Sequence, residues 1–181
     1  MKAITLYEPY ASLMAIGTKV NETRSIRTSY RGDICIHAAK TDICWPSAVK
    51  YLTGRAFAKR GQKFEPQFGC IVAVVEIYDV QPSESFVVEE VREGKVTISV
   101  QEFAFGNYSP GRWIYRTRNL RRLARPVPTR GFQSIGWTVP ADIEARVNAE
   151  VRAWLGRCIK SELRLGGHCN CEGCIEERRA E

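Results

Sequence analysis

Residues Gly69 to Val80 read GCIVAVVEIYDV, a nearly continuous apolar run rich in β-branched side chains. Such a run suits a strand buried on both faces. A chain of 181 residues argues for one domain, or one domain with a small appendage. With 44% apolar and 26% charged residues it can bury a sizeable core. Shorter strands are expected at Lys2–Tyr7, Val20–Arg24, Ile34–Ala38, Val96–Val100, Trp113–Tyr115 and Asn119–Leu123. In Ile34–Ala38 the period of two puts Cys35 and His37 on one face, Ile34 and Ile36 on the other.

Helical signals are fewer. Pro9 suits a first helical turn, Tyr10, Leu13 and Met14 share a face, and Gly17 is placed to cap the end with positive φ. Residues 41–62 read as a mid-chain helix, and 81–94 as a polar loop with a helical turn. Pro126 to Pro140 reads as a loop. From Ala141 to about Leu165, Val147, Val151, Trp154, Leu155 and Ile159 recur at helical spacings, and Gly166-Gly167 ends that helix. The sum is an α+β fold: a small β-barrel with an early helix, a mid-chain helix and a C-terminal helix.

A formal net charge of +7 favours a polyanionic partner, because Lys and Arg release counterions from phosphates. No apolar stretch approaches the roughly 18 residues of a membrane span. The opening residues are broken by Glu8 and Pro9, unlike a secretion signal. Seven cysteines, an odd number, suggest reduced thiols and a cytoplasmic chain.

The positive charge is unevenly spread. From Phe103 to Ala141 there is no Asp or Glu, yet the span holds Arg112, Arg116, Arg118, Arg121, Arg122, Arg125 and Arg130. Phe103, Phe105, Tyr108, Trp113, Tyr115, Phe132 and Trp137 are interleaved with them. Guanidinium groups beside aromatic rings suit single-stranded nucleic acid, the cations meeting phosphates and the rings stacking on bases. Trp113 and Phe105 read better as core fillers. The arginines read as a functional field, since cations without intervening acids repel one another unless an anion offsets them. Arg112 follows a tight Pro-Gly turn beside an expected groove, and Phe132 and Gln133 follow Gly131 in an exposed loop. Arg112, Arg116, Arg130 and Gln133 are the candidate nucleic-acid contacts of this stretch.

Gly17 to Arg24 reads GTKVNETR. On a strand, Glu22 and Arg24 share a face, and Lys19 lies just before it at the turn, free to swing to either side. One reading is a structural ion pair closing the barrel wall. The other is a polar cleft in which Lys19 contacts a phosphate or carbonyl, Arg24 offers a planar donor fork, and Glu22 orients one of them or accepts from a base edge.

The pattern G-x-K-x-x-E-x-R in this stretch resembles the signature of the ASCH domain family. TLYEPYASLMAIG, YRGDICIHAAK, FGCIVAVVEIYDV, FGNYSPGRWIY and PVPTRGFQSIGW resemble, in order, further segments of its bacterial and phage members. The resemblance covers roughly residues 2 to 140. It implies a PUA-like barrel at 1–140; the periodic segment 141–165 is expected as a helix packed on it, and 166–181 as a Cys-rich tail. It also implies a ligand groove at Lys19, Glu22 and Arg24 without naming the ligand; together with the net charge and the arginine-rich stretch, the expected partner is RNA, single-stranded nucleic acid or a modified nucleoside. A bacterial branch of the same fold hydrolyses the amide of N4-acetylcytidine with a Lys, a Thr nucleophile and a Glu. Its Lys matches Lys19, but its Thr falls on Glu22, so the nucleophile is missing here. A nucleoside- or RNA-acting hydrolase with Lys19 and Glu22 as catalytic groups stays as an alternative.

The tail offers a third reading. Cys171-x-x-Cys174 has a metal-knuckle spacing, with Cys169 and then His168 or Cys158 as further ligands for a zinc ion. The chain would then be a zinc-knuckle interaction adaptor. Free thiols on a frayed terminus are the plainer expectation.

Overall fold

The computed structural model describes residues 1–88 and 96–165. The apolar run forms the middle of a six-stranded sheet. Its strands are β1 (Lys2–Leu6), β2 (Asn21–Arg24), β3 (Gly32–Ala38), β4 (Cys70–Pro82), β7 (Trp113–Pro128) and β8 (Trp137–Thr138). β5 (Phe86–Val88) and β6 (Val96–Ile98) form a separate parallel pair. The helices are α1 (Tyr10–Ala15), α2 (Ser47–Ala58), α3 (Val100–Ala104) and α4 (Ala141–Leu165), with one 3-10 turn at Ser83–Ser85. The sheet runs in the order β2-β7-β4-β3-β1-β8. Only β1 and β3 pair in parallel within it.

β4 is covered on both sides, as its sequence predicts. Val72, Ala73, Val75, Ile77 and Val80 pack with Leu6, Met14 and Tyr115 on the α1 side. Ile71 and Val74 pack with Leu123, Val127, Val147 and Val151 on the α4 side. Each such Val or Ile contributes roughly 1.5 to 3 kcal/mol when fully buried. Register shifts at three points between β4 and β7 mark bulges. Bulges add right-handed twist, and the sheet curls into a half-barrel. This is the expected α+β architecture.

Four local expectations change. Trp113–Tyr115 and Asn119–Leu123 are parts of one 16-residue strand that also takes in Pro126 to Pro128. Asn119 sits at φ 52, a left-handed residue that breaks the alternation by which a strand is recognised. Val96–Val100 splits into β6 and the start of α3, because Ser99 caps a helix. α2 is shorter than 41–62, starting directly after Pro46. The stripe of α4 that docks is Ile143, Val147 and Val151, whereas Leu155 is exposed.

Candidate nucleic-acid interface

The GTKVNETR segment leaves α1 by a turn that only a positive φ allows. Gly17 supplies it at φ 67, and the Thr18 and Lys19 N–H groups both donate to the Leu13 carbonyl. This turn sends Lys19 inward. The residue is 2% exposed. Its ammonium donates to the Asn21 carbonyl and lies 3.7 Å from Glu22 Oε2 and 3.9 Å from Glu102 Oε1. The lysine expected to swing freely is pinned, because a desolvated ammonium holds only where oxygens surround it.

Glu102 is the residue that sequence reasoning missed. It lies on α3, where the Ser99 hydroxyl accepts from its N–H at 3.1 Å. Its carboxylate accepts from the Val20 and Asn21 N–H groups at 2.9 and 3.0 Å, and from the Tyr108 hydroxyl at 2.9 Å. Burial, and then the Glu102 charge, push the Tyr108 hydroxyl far above its ordinary range, so it stays a donor. The Ser99-x-x-Glu102 spacing is a helix-start signal inside a stretch that otherwise reads as strand.

On β2 the period of two operates as expected. Asn21 and Thr23 are buried, while Glu22 and Arg24 share the outer face. Arg24 Nε lies 2.8 Å from Glu22 Oε1, and Arg24 Nη2 donates to the Thr5 carbonyl at 2.7 Å. Arg112, next to its turn, donates to the Asn107 and Thr23 carbonyls, each at 3.0 Å. Glu22, Arg24 and Arg112 line one cleft of about 330 Å³ with Thr5, Tyr10 and Gln133.

A second cleft of about 750 Å³ adjoins it at Thr5 and Gln133. Lys40, Phe68, Arg130 and Phe132 line it, with buried His37 also on its wall. The Arg130 guanidinium lies 5.5 Å from the Phe132 ring centre. Aromatic side chains stand open along both clefts: Tyr7 is 39% exposed, Phe68 36% and Phe132 49%. His37 Nε2 lies 3.2 Å from the Thr129 carbonyl, and Nδ1 3.3 Å from Thr5 Oγ1. The Thr5 hydroxyl in turn donates to the Phe132 carbonyl at 2.7 Å and accepts from Trp137 Nε1 at 3.2 Å. Gly131 crosses directly over the imidazole. A Cβ there would fall 2.2 Å from His37 Cε1, so a glycine is what lets the loop lie down.

Burial holds the His37 pKa below its ordinary value, against a smaller opposing effect of the Thr129 carbonyl. Below the unfolded imidazole value of about 6.5 the unfolded chain binds the proton first. His37 therefore contributes stability that is complete above that pH and is lost as pH falls toward its depressed folded value. Urea unfolding at pH 7.5, 6.5 and 5.5 is expected to show this loss, and His37→Asn to flatten it. Glu8, whose carboxyl is raised by burial, gives the opposite slope, so the comparison with the variant isolates His37. An identical pH slope in both proteins would contradict this assignment.

The two clefts bring together Glu22, Arg24, Arg112, Arg130 and Gln133 from the sequence-based set. Lys19 stands behind Glu22. Arg116 is elsewhere, 3.6 Å from Asp79 and 5.0 Å from the Tyr78 ring centre. The acid-free stretch is not acid-free in space. β4 sets Glu76 and Asp79 opposite Arg118 and Arg116, while Asp33 pairs with Arg121 and Glu150 with Arg125. The mutual repulsion read from the sequence is thus relieved at four of the seven arginines by acids from other elements. Among the described residues, Arg112, Arg122 and Arg130 have no carboxylate partner.

A model of the ASCH domain matches residues 4–121. The chain belongs to the ASCH domain family. ASCH domains are PUA-like and generally RNA-binding, and the curled sheet agrees with that architecture. No curated protein matches the chain. The match takes in Glu22, Arg24 and Arg112 of the ASCH domain, while Arg130, Phe132 and Gln133 lie beyond it.

Other expected features fall outside this interface. No cluster of three or more His, Cys, Asp or Glu able to hold a metal occurs among the described residues. The expected zinc ligands His168, Cys169, Cys171 and Cys174 lie outside the described residues. The Cys35 thiol is pushed up to about 12 by burial, as befits an inert core residue. No described helix is long and apolar enough to cross a membrane.

Proposed function

We propose that the two adjoining clefts form one groove for single-stranded RNA, running from Glu22, Arg24 and Arg112 past Thr5 and Gln133 to Arg130 and Phe132. The observation that carries this reading is the pairing of open aromatic rings with the Arg112 and Arg130 guanidinium groups, which no carboxylate of the described residues neutralises, in clefts that adjoin at Thr5 and Gln133. Arg112 and Arg130 meet phosphates, with Lys40 beside the second cleft. Tyr7, Phe68 and Phe132 supply faces for unstacked bases. Glu22 and Gln133 are placed to read a base edge, as acceptor and as amide. Lys19 acts as a positioning residue, holding the Glu22 carboxylate from behind.

The burial of Lys19 favours binding over hydrolysis. An electrophile must touch its substrate, and this ammonium is enclosed by the oxygens of Asn21, Glu22 and Glu102. Fluorescence-anisotropy titrations with single-stranded RNA, single-stranded DNA and duplex test the reading. Single-stranded RNA is expected to bind best, with a log–log salt slope of about −2 for three phosphate contacts at about −0.7 each. Binding of duplex equal to single strand, or no salt dependence, would overturn it.

A further inference from the structure

A third cavity of about 390 Å³ shares no lining residue with the groove. Ile16 just after α1, Phe57 of α2 and Val72 of β4 give it apolar walls. Arg122 lines it from β7, and Lys63 stands on its exposed rim. The Arg122 guanidinium makes no ion pair or hydrogen bond among the described residues. Its charged neighbour is another cation, Arg60, whose own donors are spent on the Ile16 and Ala56 carbonyls at 2.7 and 3.1 Å. Partial burial and the Arg60 charge both disfavour the charged form of Arg122. Glu65 is on the rim as well, yet it pairs with neither arginine. A planar donor fork, half-desolvated and facing an open cavity, is what a carboxylate or phosphate engages with two parallel hydrogen bonds. The volume falls within the usual range for small-molecule sites.

We propose that this cavity is a second ligand site of the protein, taking a small organic anion whose carboxylate or phosphate sits on Arg122 and whose apolar body lies against Phe57 and Ile16. Lys63 closes over the charge from the rim. The inference stands apart from the RNA groove, with which the cavity shares no residue.

Isothermal titration and thermal unfolding with phenyl phosphate, benzoate and inorganic phosphate test it. Phenyl phosphate or benzoate is expected to bind and raise the melting temperature. The stronger of the two identifies the anion, and inorganic phosphate should bind more weakly for want of an apolar body. Arg122→Gln should weaken binding about tenfold or more, the loss of a charge-assisted pair. The unliganded variant should melt no lower than wild type, and its affinity for single-stranded RNA should be unchanged. Lys63→Gln, on the exposed rim, gives a second variant that keeps the fold and should bind several-fold more weakly. Three results would each overturn the proposal: no probe binds; Arg122→Gln, or Lys63→Gln if the first variant does not fold, binds as tightly as wild type; or Arg122→Gln also loses RNA binding, which would make the cavity part of the RNA path.

Discussion

Glu102→Ala is expected to lower the unfolding free energy by about 3 to 5 kcal/mol, the range for breaking a buried ion pair from one side. Glu102 is 4% exposed, and its carboxylate serves the Lys19 ammonium, two backbone N–H groups and the Tyr108 hydroxyl. Removing it takes one of two carboxylates from the buried Lys19 ammonium and leaves the Val20 and Asn21 N–H groups without acceptors at the entry to β2. Glu102→Gln keeps the shape but brings an NH₂ group against those donors, so it should recover little. Lys19→Met combined with Glu102→Ala should cost less than the two changes summed, because Lys19→Met removes the cation that Glu102→Ala leaves under-compensated. Urea unfolding of wild type, the three single variants and the double variant reads this directly. A loss below about 1 kcal/mol for Glu102→Ala would mean that water replaces the carboxylate and that the residue does not organise the groove.

The second large effect concerns affinity. Replacing Arg112 and Arg130 together by Gln should weaken single-stranded RNA binding roughly a hundredfold at low salt, about tenfold for each charge-assisted contact. The salt slope should become shallower by about 1.4, which is about 0.7 per lost phosphate contact. Arg130→Gln is the cleaner single change, because that side chain is exposed and donates to no backbone carbonyl that β2 depends on. Arg125→Gln is the control. It has the same chemistry but is paired with Glu150 against α4, and should leave affinity within about twofold. Equal losses for Arg125 and Arg130 would point to diffuse attraction by net charge rather than to a groove.

The features readable from the sequence were those set by neighbours along the chain. The β-branched run of β4, the positive φ at Gly17 and the shared face of Glu22 and Arg24 each follow from residues within a few positions. What was not readable depended on partners brought in from afar. The burial of Lys19 is decided by Glu102, 83 positions on, and the neutralisation of Arg116 and Arg118 by acids on β4. The sequence of β7 looks like two short strands because Asn119 and the bulges interrupt its alternation and it is rich in arginine. The adjoining of two clefts at Thr5 and Gln133 joins residues 128 positions apart and leaves no local trace.

The measurement that bears most directly on the groove is ultraviolet crosslinking of the full chain to a short single-stranded RNA, with the attached peptides mapped by mass spectrometry. Crosslinks at Tyr7, Phe68 and Phe132, lost on adding unlabelled competitor, are the expected result. Crosslinks confined to the outer face around Tyr78, with none along the two clefts, would contradict the assignment of the groove.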